Sequence, residues 1–122
     1  MENNKILVID DWKPLLTVTR SFLEKNGYEV QVCSNPKEGV EMLKGSDVDI
    51  LIVDVMMPEM SGFEVVEFVR NELKRDDLKI IIATGRSDPL DYTIAKNAGA
   101  DGFVPKPFTK DELLETIKGL YE

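Results

Sequence analysis

Short apolar runs alternate along the chain with longer stretches of helical spacing. Lys5–Ile9 (KILVI), Glu29–Cys33 (EVQVC), Ile50–Val53 (ILIV), Lys79–Ala83 (KIIIA) and the short Gly102–Val104 (GFV) predict five strands. Three of them are nearly unbroken runs of β-branched residues or leucine. A strand with one wet face would alternate, so unbroken runs predict a parallel sheet covered on both faces. The first helical stretch carries Leu15, Leu16, Phe22 and Leu23 and stops before Gly27. The second opens at Asn35-Pro36, an N-cap followed by proline at the first helical position, and carries Val40 and Leu43. Ser61 with Glu64 three residues on is a capping box for a third helix, expected to bury Val65, Val66, Val69 and Leu73. A fourth starts near Asp88-Pro89 and ends before Gly99. Thr109 with Glu112 caps the fifth, which carries Leu113, Leu114, Ile117, Leu120 and Tyr121.

Five βα units in succession predict an open α/β sheet with helices on both faces. No repeat, linker or low-complexity stretch interrupts them. The expectation is a single domain over residues 1–122, with no output domain after the fifth helix.

Composition narrows the class. The chain is 43% hydrophobic and 31% charged, enough to bury a core and remain soluble. No stretch approaches the roughly 20 apolar residues of a membrane span, and no signal-peptide pattern opens the chain. Cys33 is the only cysteine, so no intrachain disulfide is available, and a cytoplasmic setting is the expectation. Cys33 itself reads as a buried, inert strand residue. The net charge of −8, with no basic stripe, argues against direct nucleic-acid binding. There is no histidine, which excludes the commonest general base, the commonest metal ligand and a phosphohistidine on this chain. Any metal would be held by oxygen, which suits magnesium or calcium. Met56, Met57 and Met60 could suggest a softer ion but sit among oxygen donors, and read as loop and packing residues. Asp76-Asp77 reads as a solvated helix end.

Ligands of open α/β sheets bind at the carboxyl ends of the strands. There the sequence places Asp10 and Asp11 after the first strand, Asp54 after the third, Thr84 after the fourth and Lys106 after the fifth. Each has an ordinary reading: Asp11 as a helix cap, Asp54 as a turn residue, Thr84 as a strand end, Lys106 as a solvated cation. Together they fall at one edge. Three carboxylates at ~4 Å would repel by roughly 4 kcal/mol per pair at an effective dielectric near 20. One lysine offsets about one charge, and a hard divalent cation would balance the rest. The pocket therefore reads as a magnesium site that accepts a phosphoryl group. Such a transfer needs chiefly positioning and charge stabilisation, with an aspartate as nucleophile.

These residues resemble the receiver domains of response regulators over essentially the whole chain. KILVIDD (Lys5 to Asp11) is similar to the family's first strand and acidic pair. DVMMPEMSG (Asp54 to Gly62) resembles its phosphoacceptor loop, KIIIATG (Lys79 to Gly85) its fourth strand, and GADGFVPKPF (Gly99 to Phe108) the run with the switch aromatic and the Lys-Pro pair. The resemblance implies a flavodoxin-like, doubly wound (βα)5 fold with a five-stranded parallel sheet in the order 2-1-3-4-5. It implies that Asp54 is the phosphoacceptor. Asp10, Asp11, the Asp54 carboxylate and the Met56 backbone carbonyl would hold Mg2+, with Mn2+ as an alternative. Lys106 would pair with the phosphoryl group, Thr84 would sense it, and Phe103 would turn inward. The Lys106–Pro107 bond is expected to be cis, and Met56 and Arg86 fall where the family tunes the lifetime of the acyl phosphate.

The implied donor is a sensor histidine kinase or phosphotransfer protein. The implied output is an unidentified protein target, engaged through the face of the fourth helix, fifth strand and fifth helix. The chain would be a monomer or a phosphorylation-induced dimer. It would be a signalling domain and not an enzyme, beyond catalysing its own phosphorylation and dephosphorylation. Gly85 stands where alanine is frequent and Phe103 where tyrosine is. Trp12 either leans over the pocket mouth or covers the first helix.

Three other functions compete. An aspartate-nucleophile phosphatase would carry a second acid two residues after the nucleophile, where Met56 stands. A flavodoxin-type carrier would have a glycine- and hydroxyl-rich phosphate loop where Asp10-Asp11 stands. A degenerate receiver would lack part of the pocket, and no pocket residue is missing.

Overall fold

The computed structural model describes residues 4–85 and 89–122. Five strands, β1 (Lys5–Ile9), β2 (Glu29–Cys33), β3 (Ile50–Asp54), β4 (Lys79–Thr84) and β5 (Gly102–Pro105), alternate with α1 (Lys13–Lys25), α2 (Pro36–Leu43), α3 (Gly62–Asn71), α4 (Pro89–Ala98) and α5 (Lys110–Gly119). The strands form one sheet in the order β2-β1-β3-β4-β5, and every pairing is parallel. This is the expected doubly wound, flavodoxin-like arrangement. No helix among the described residues is long and apolar enough to cross a membrane.

The unbroken apolar runs have the expected cause. Side chains of a strand alternate between faces, and both faces here are covered. Leu7, Ile9, Leu51, Val53, Ile80 and Ile82 point to a core closed by α2, α3 and α4. Ile6, Val8, Ile50, Ile52, Ile81 and Ala83 point to one closed by α1 and α5.

The caps behave as the sequence suggested. The Asn35 side chain accepts the Lys37 and Glu38 N–H groups, and both capping boxes form reciprocally at Ser61/Glu64 and Thr109/Glu112. Three expectations need correction. The third, fourth and fifth strands each run one residue further than expected, so Asp54 and Thr84 end their strands and do not follow them. The third helix stops at Asn71, and Leu73 lies beyond it, half-buried against the same core. Asp76-Asp77 is therefore no helix end. It belongs to the α3–β4 connection, where Asp77 pairs with Arg75.

Two arginines in this region bind the edge of the sheet opposite the carboxyl ends. Arg70 donates to the carbonyls of Gly99 (3.0 Å) and Leu78 (2.7 Å) and to Asp101 (2.8 Å). Asp101 also accepts the Ile80 N–H. Arg75 donates to the carbonyls of Ser46 and Val48. The loops that lead into β3, β4 and β5 are thereby tied together. Gly99 has φ +112°, and a Cβ there would meet the Arg70 side chain at 2.8 Å, so glycine suits the position twice over. Arg70→Ala should cost about 2 kcal/mol in urea unfolding, because part-buried carbonyls lose a donor and Asp101 loses its cation together. A loss below about 0.5 kcal/mol would mean that water replaces the guanidinium without penalty.

Candidate functional site: an acid pocket at the strand ends

Parallel neighbours β1 and β3 bring Asp10, just past the end of β1, beside Asp54, the last residue of β3. Asp10 is held there by its own N–H, which donates to the Cys33 carbonyl at the end of β2 (3.1 Å). Asp10 and Asp54 are buried and Asp11 is exposed. Each offers one carboxylate oxygen, and these oxygens lie within 4.8 Å of one another. Lys106 reaches in from beyond β5. Its Nζ donates to Asp10 Oδ2 at 2.6 Å and stands 3.1 Å from Asp54 Oδ1. The Lys106 N–H donates to the Thr84 carbonyl at 2.6 Å, which fixes the lysine against the end of β4. The Lys106–Pro107 peptide is cis.

The electrostatics follow from burial and crowding. Loss of water raises the Asp54 pKa above the ordinary carboxylate value, and the Asp10 charge raises it further. The Lys106 hydrogen bond and charge oppose that rise without cancelling it. Burial draws the Lys106 pKa down, but its bonds to Asp10 and Asp54 outweigh burial, so it is raised overall and the ammonium is charged at neutral pH.

Three carboxylates against one ammonium leave an excess of two negative charges when all are ionised. The donors are all oxygen, and one of the three acids lies open to solvent. Charge, donor type and access all fit a hard divalent cation.

The remaining predicted residues are placed as follows. Thr84 is fully buried at the end of β4. Phe103, on β5, is half-buried and packs edge-to-face on Tyr92 of α4, with ring centroids 5.8 Å apart. Beside it runs a groove of about 410 Å3 between α4 and α5, lined in part by Ala95, Thr116 and Leu120. The Met56 side chain is exposed in the loop after β3, while Met57 and Met60 pack against the core. Arg86 lies outside the described residues. Cys33 is a buried free thiol.

The two readings of Trp12 merge, and the alternative of Asp11 as a helix cap fails. Trp12 is the N-cap of α1, without a side-chain cap bond. Its N–H donates to Asp10 Oδ1 at 2.9 Å. Its exposed indole forms one wall of a cleft with Leu15, Pro107 and Phe108.

One residue of consequence was not foreseen as part of the site. A Cβ on Gly62 would lie 2.3 Å from the Asp54 carbonyl oxygen, so this glycine lets α3 start directly against the end of β3. Its signals in the sequence were a place at the end of the DVMMPEMSG run and a position just inside a capping box.

A family profile described as "Response regulator receiver domain" matches residues 6–118. The response regulator MprA of Mycobacterium ulcerans is 37% identical over 116 residues, which are 95% of this chain and 49% of that protein. The chain thus spans about half the length of this curated relative. Among solved structures, a CheY-like response regulator receiver domain protein from Methanospirillum hungatei is 32% identical. The two superpose with a TM-score of 0.87 over 95% of this chain and 91% of that one. The chemotaxis response regulator CheY4 of Vibrio cholerae is 31% identical with a TM-score of 0.89, over 95% and 97% of the two chains. The profile covers Asp10, Asp54, Thr84 and Lys106, and with the agreement in sequence and sheet order it shows that the chain belongs to the family of response regulator receiver domains.

Proposed function

We propose that this receiver is switched by transfer of a phosphoryl group to Asp54, from a phosphohistidine on a separate sensor kinase or phosphotransfer protein. The observation that carries the reading is the buried Asp54 carboxylate with an ammonium at 3.1 Å and two further carboxylates beside it. An Asp54 oxygen is the nucleophile. Lys106 is placed to meet the negative charge of the transferring oxygens, and the Thr84 hydroxyl lies at the end of the adjoining strand. Asp10, Asp11, Asp54 and the Met56 carbonyl would hold Mg2+ (or Mn2+), which when bound would screen the phosphoryl oxygens from the carboxylates. The domain would catalyse only its own phosphorylation and dephosphorylation, with Met56 and Arg86 setting the rate of the second.

Phosphorylation exchanges a carboxylate for a group carrying about −1.5 to −2 charges. Thr84 and Phe103 are the residues through which this change would reach the α4–β5–α5 face and the protein target there. Such a signal is a shift in a pre-existing equilibrium, biased by new contacts at the acid pocket.

Incubation with magnesium and acetyl phosphate should add the mass of one phosphoryl group, at Asp54, and chelation of the metal should prevent it. Magnesium alone should change the emission of Trp12, the only tryptophan, because its N–H is bonded to Asp10. Absence of labelling at saturating donor and metal would refute the reading. Unchanged emission, with binding proven by calorimetry, would instead separate Trp12 from the cation.

A further inference from the structure

The cleft beside the acid pocket takes no part in the function derived so far. It holds about 320 Å3 and is lined by Trp12, Leu15, Gly85, Lys106, Pro107 and Phe108. Its one charged lining residue, Lys106, directs its ammonium to Asp10 and Asp54, and a lysine so engaged offers its aliphatic stem to its neighbours. What remains is two aromatic rings, a proline and a leucine. At Gly85 a Cβ would meet nothing within 4 Å among the described residues, so glycine adds no bulk to that side of the cleft. Trp12 is fixed to the acid pocket by its N–H bond to Asp10. Trp12 as a whole is 61% exposed, leaving a large aromatic residue to water at the rim of a charged site.

In phosphoryl transfer the attacking and leaving oxygens lie roughly in line with phosphorus between them. A donor attacked by Asp54 must therefore extend its leaving group away from Asp54, toward the rim. On the Lys106 side that rim is the apolar cleft. We infer that the cleft receives the leaving group of a small organic phosphodonor and favours a planar aromatic one. This rests on Asp54 being the phosphoacceptor. The chemistry balances without a further reactant. An Asp54 carboxylate oxygen bonds to phosphorus, the bond from phosphorus to the acyl oxygen breaks, and its electron pair departs on the released carboxylate. Trp12 is the specificity-determining wall, since an aromatic guest can stack on its ring or meet it edge-on.

Benzoyl phosphate and acetyl phosphate test this, because both release a carboxylate of similar acidity and differ in the ring. Each is mixed with the full chain and magnesium, and phosphoryl-Asp54 is followed by intact mass. The ratio of the benzoyl to the acetyl rate constant should fall roughly threefold to tenfold in Trp12→Ala. Trp12→Phe should keep most of it, which a merely structural tryptophan would not require. The exposure of the indole means that neither change opens the core. A ratio equal in wild type and Trp12→Ala, with acetyl phosphate still labelling Asp54, overturns the role of the cleft and leaves the phosphoacceptor in place. Failure of both donors to label Asp54 overturns both.

Discussion

Asp54→Asn should abolish phosphorylation and, without a divalent cation, make the fold more stable than wild type by about 1–2 kcal/mol. The first effect is loss of the proposed nucleophile. The second follows from the pocket's electrostatics. Asp54 is almost fully buried, with Asp10 and Asp11 close by and one lysine shared between Asp10 and Asp54. Removal of a poorly compensated buried charge commonly returns energy of that size, when the replacement has the same shape. The sign with pH is fixed by the raised Asp54 pKa. The folded chain holds a proton that the unfolded chain releases near pH ~3.9. The stability that this proton supplies is therefore lost as pH rises from there through the folded value. The advantage of the asparagine variant should be full above the folded pKa and should vanish as pH falls toward about 4. Urea melts of both proteins in chelator, at several pH values, measure it. An asparagine variant that is less stable at neutral pH would show that the Lys106 bond to Asp54 outweighs the crowding.

The largest loss of stability from adding a single methyl group is expected at Gly62. Gly62→Ala would set a Cβ 2.3 Å from the Asp54 carbonyl oxygen and 2.9 Å from its carbon. The obstacle is backbone at the end of β3, where Asp54 is paired with Ala83 of β4, and it cannot swing aside as a side chain could. Overpacking of this kind costs about 1–3 kcal/mol, and the upper end is expected where neither partner can yield. Relief of the clash must move Asp54 or the start of α3. Labelling by acetyl phosphate should accordingly slow by roughly tenfold or more, since small misplacements of reacting groups have effects of that order. Gly119→Ala is the contrasting case. A Cβ there meets nothing within 4 Å, near the end of α5. It should be neutral or gain up to about 1 kcal/mol from helix propensity. Equal effects at the two positions would mean that the close approach to Asp54 is not felt.

Most of the architecture was legible because the elements announce themselves locally. The runs ILIV and KIIIA can only be buried strands in a chain of this pattern. Asn35, Ser61 and Thr109 mark their helices by chemistry contained in three or four residues. The acid pocket was legible for a related reason. Topology brings every strand's carboxyl end to one edge, so residues far apart in sequence could be gathered by position alone. What escaped depends on distance through space. Arg70 and Arg75 look like solvated helix-end residues in sequence, yet Arg70 spans 29 positions to the Gly99 carbonyl and Arg75 spans 29 to the Ser46 carbonyl. Gly62 could be placed in the loop after Asp54, but not its close approach to the Asp54 carbonyl. The partners of Trp12 come from the far end of the chain, and no local rule pairs an N-cap residue with Pro107 and Phe108.

The doubly covered sheet has a consequence for what keeps β3 in step with its neighbours. A half-exposed strand is held in register by its own alternation, because a slip of one residue turns its apolar side to water. β3 lacks that safeguard: Ile50, Leu51, Ile52 and Val53 are apolar on both faces, and a slipped strand would still bury only apolar side chains. The polar residues at its two ends supply what the middle lacks. Asp49 accepts the Lys5 N–H at one end, and Asp54 meets Lys106 at the other. One-residue insertions within β3 should therefore be far less tolerated than apolar exchanges there, and the acid proposed to accept the phosphoryl group also serves as the strand's alignment mark.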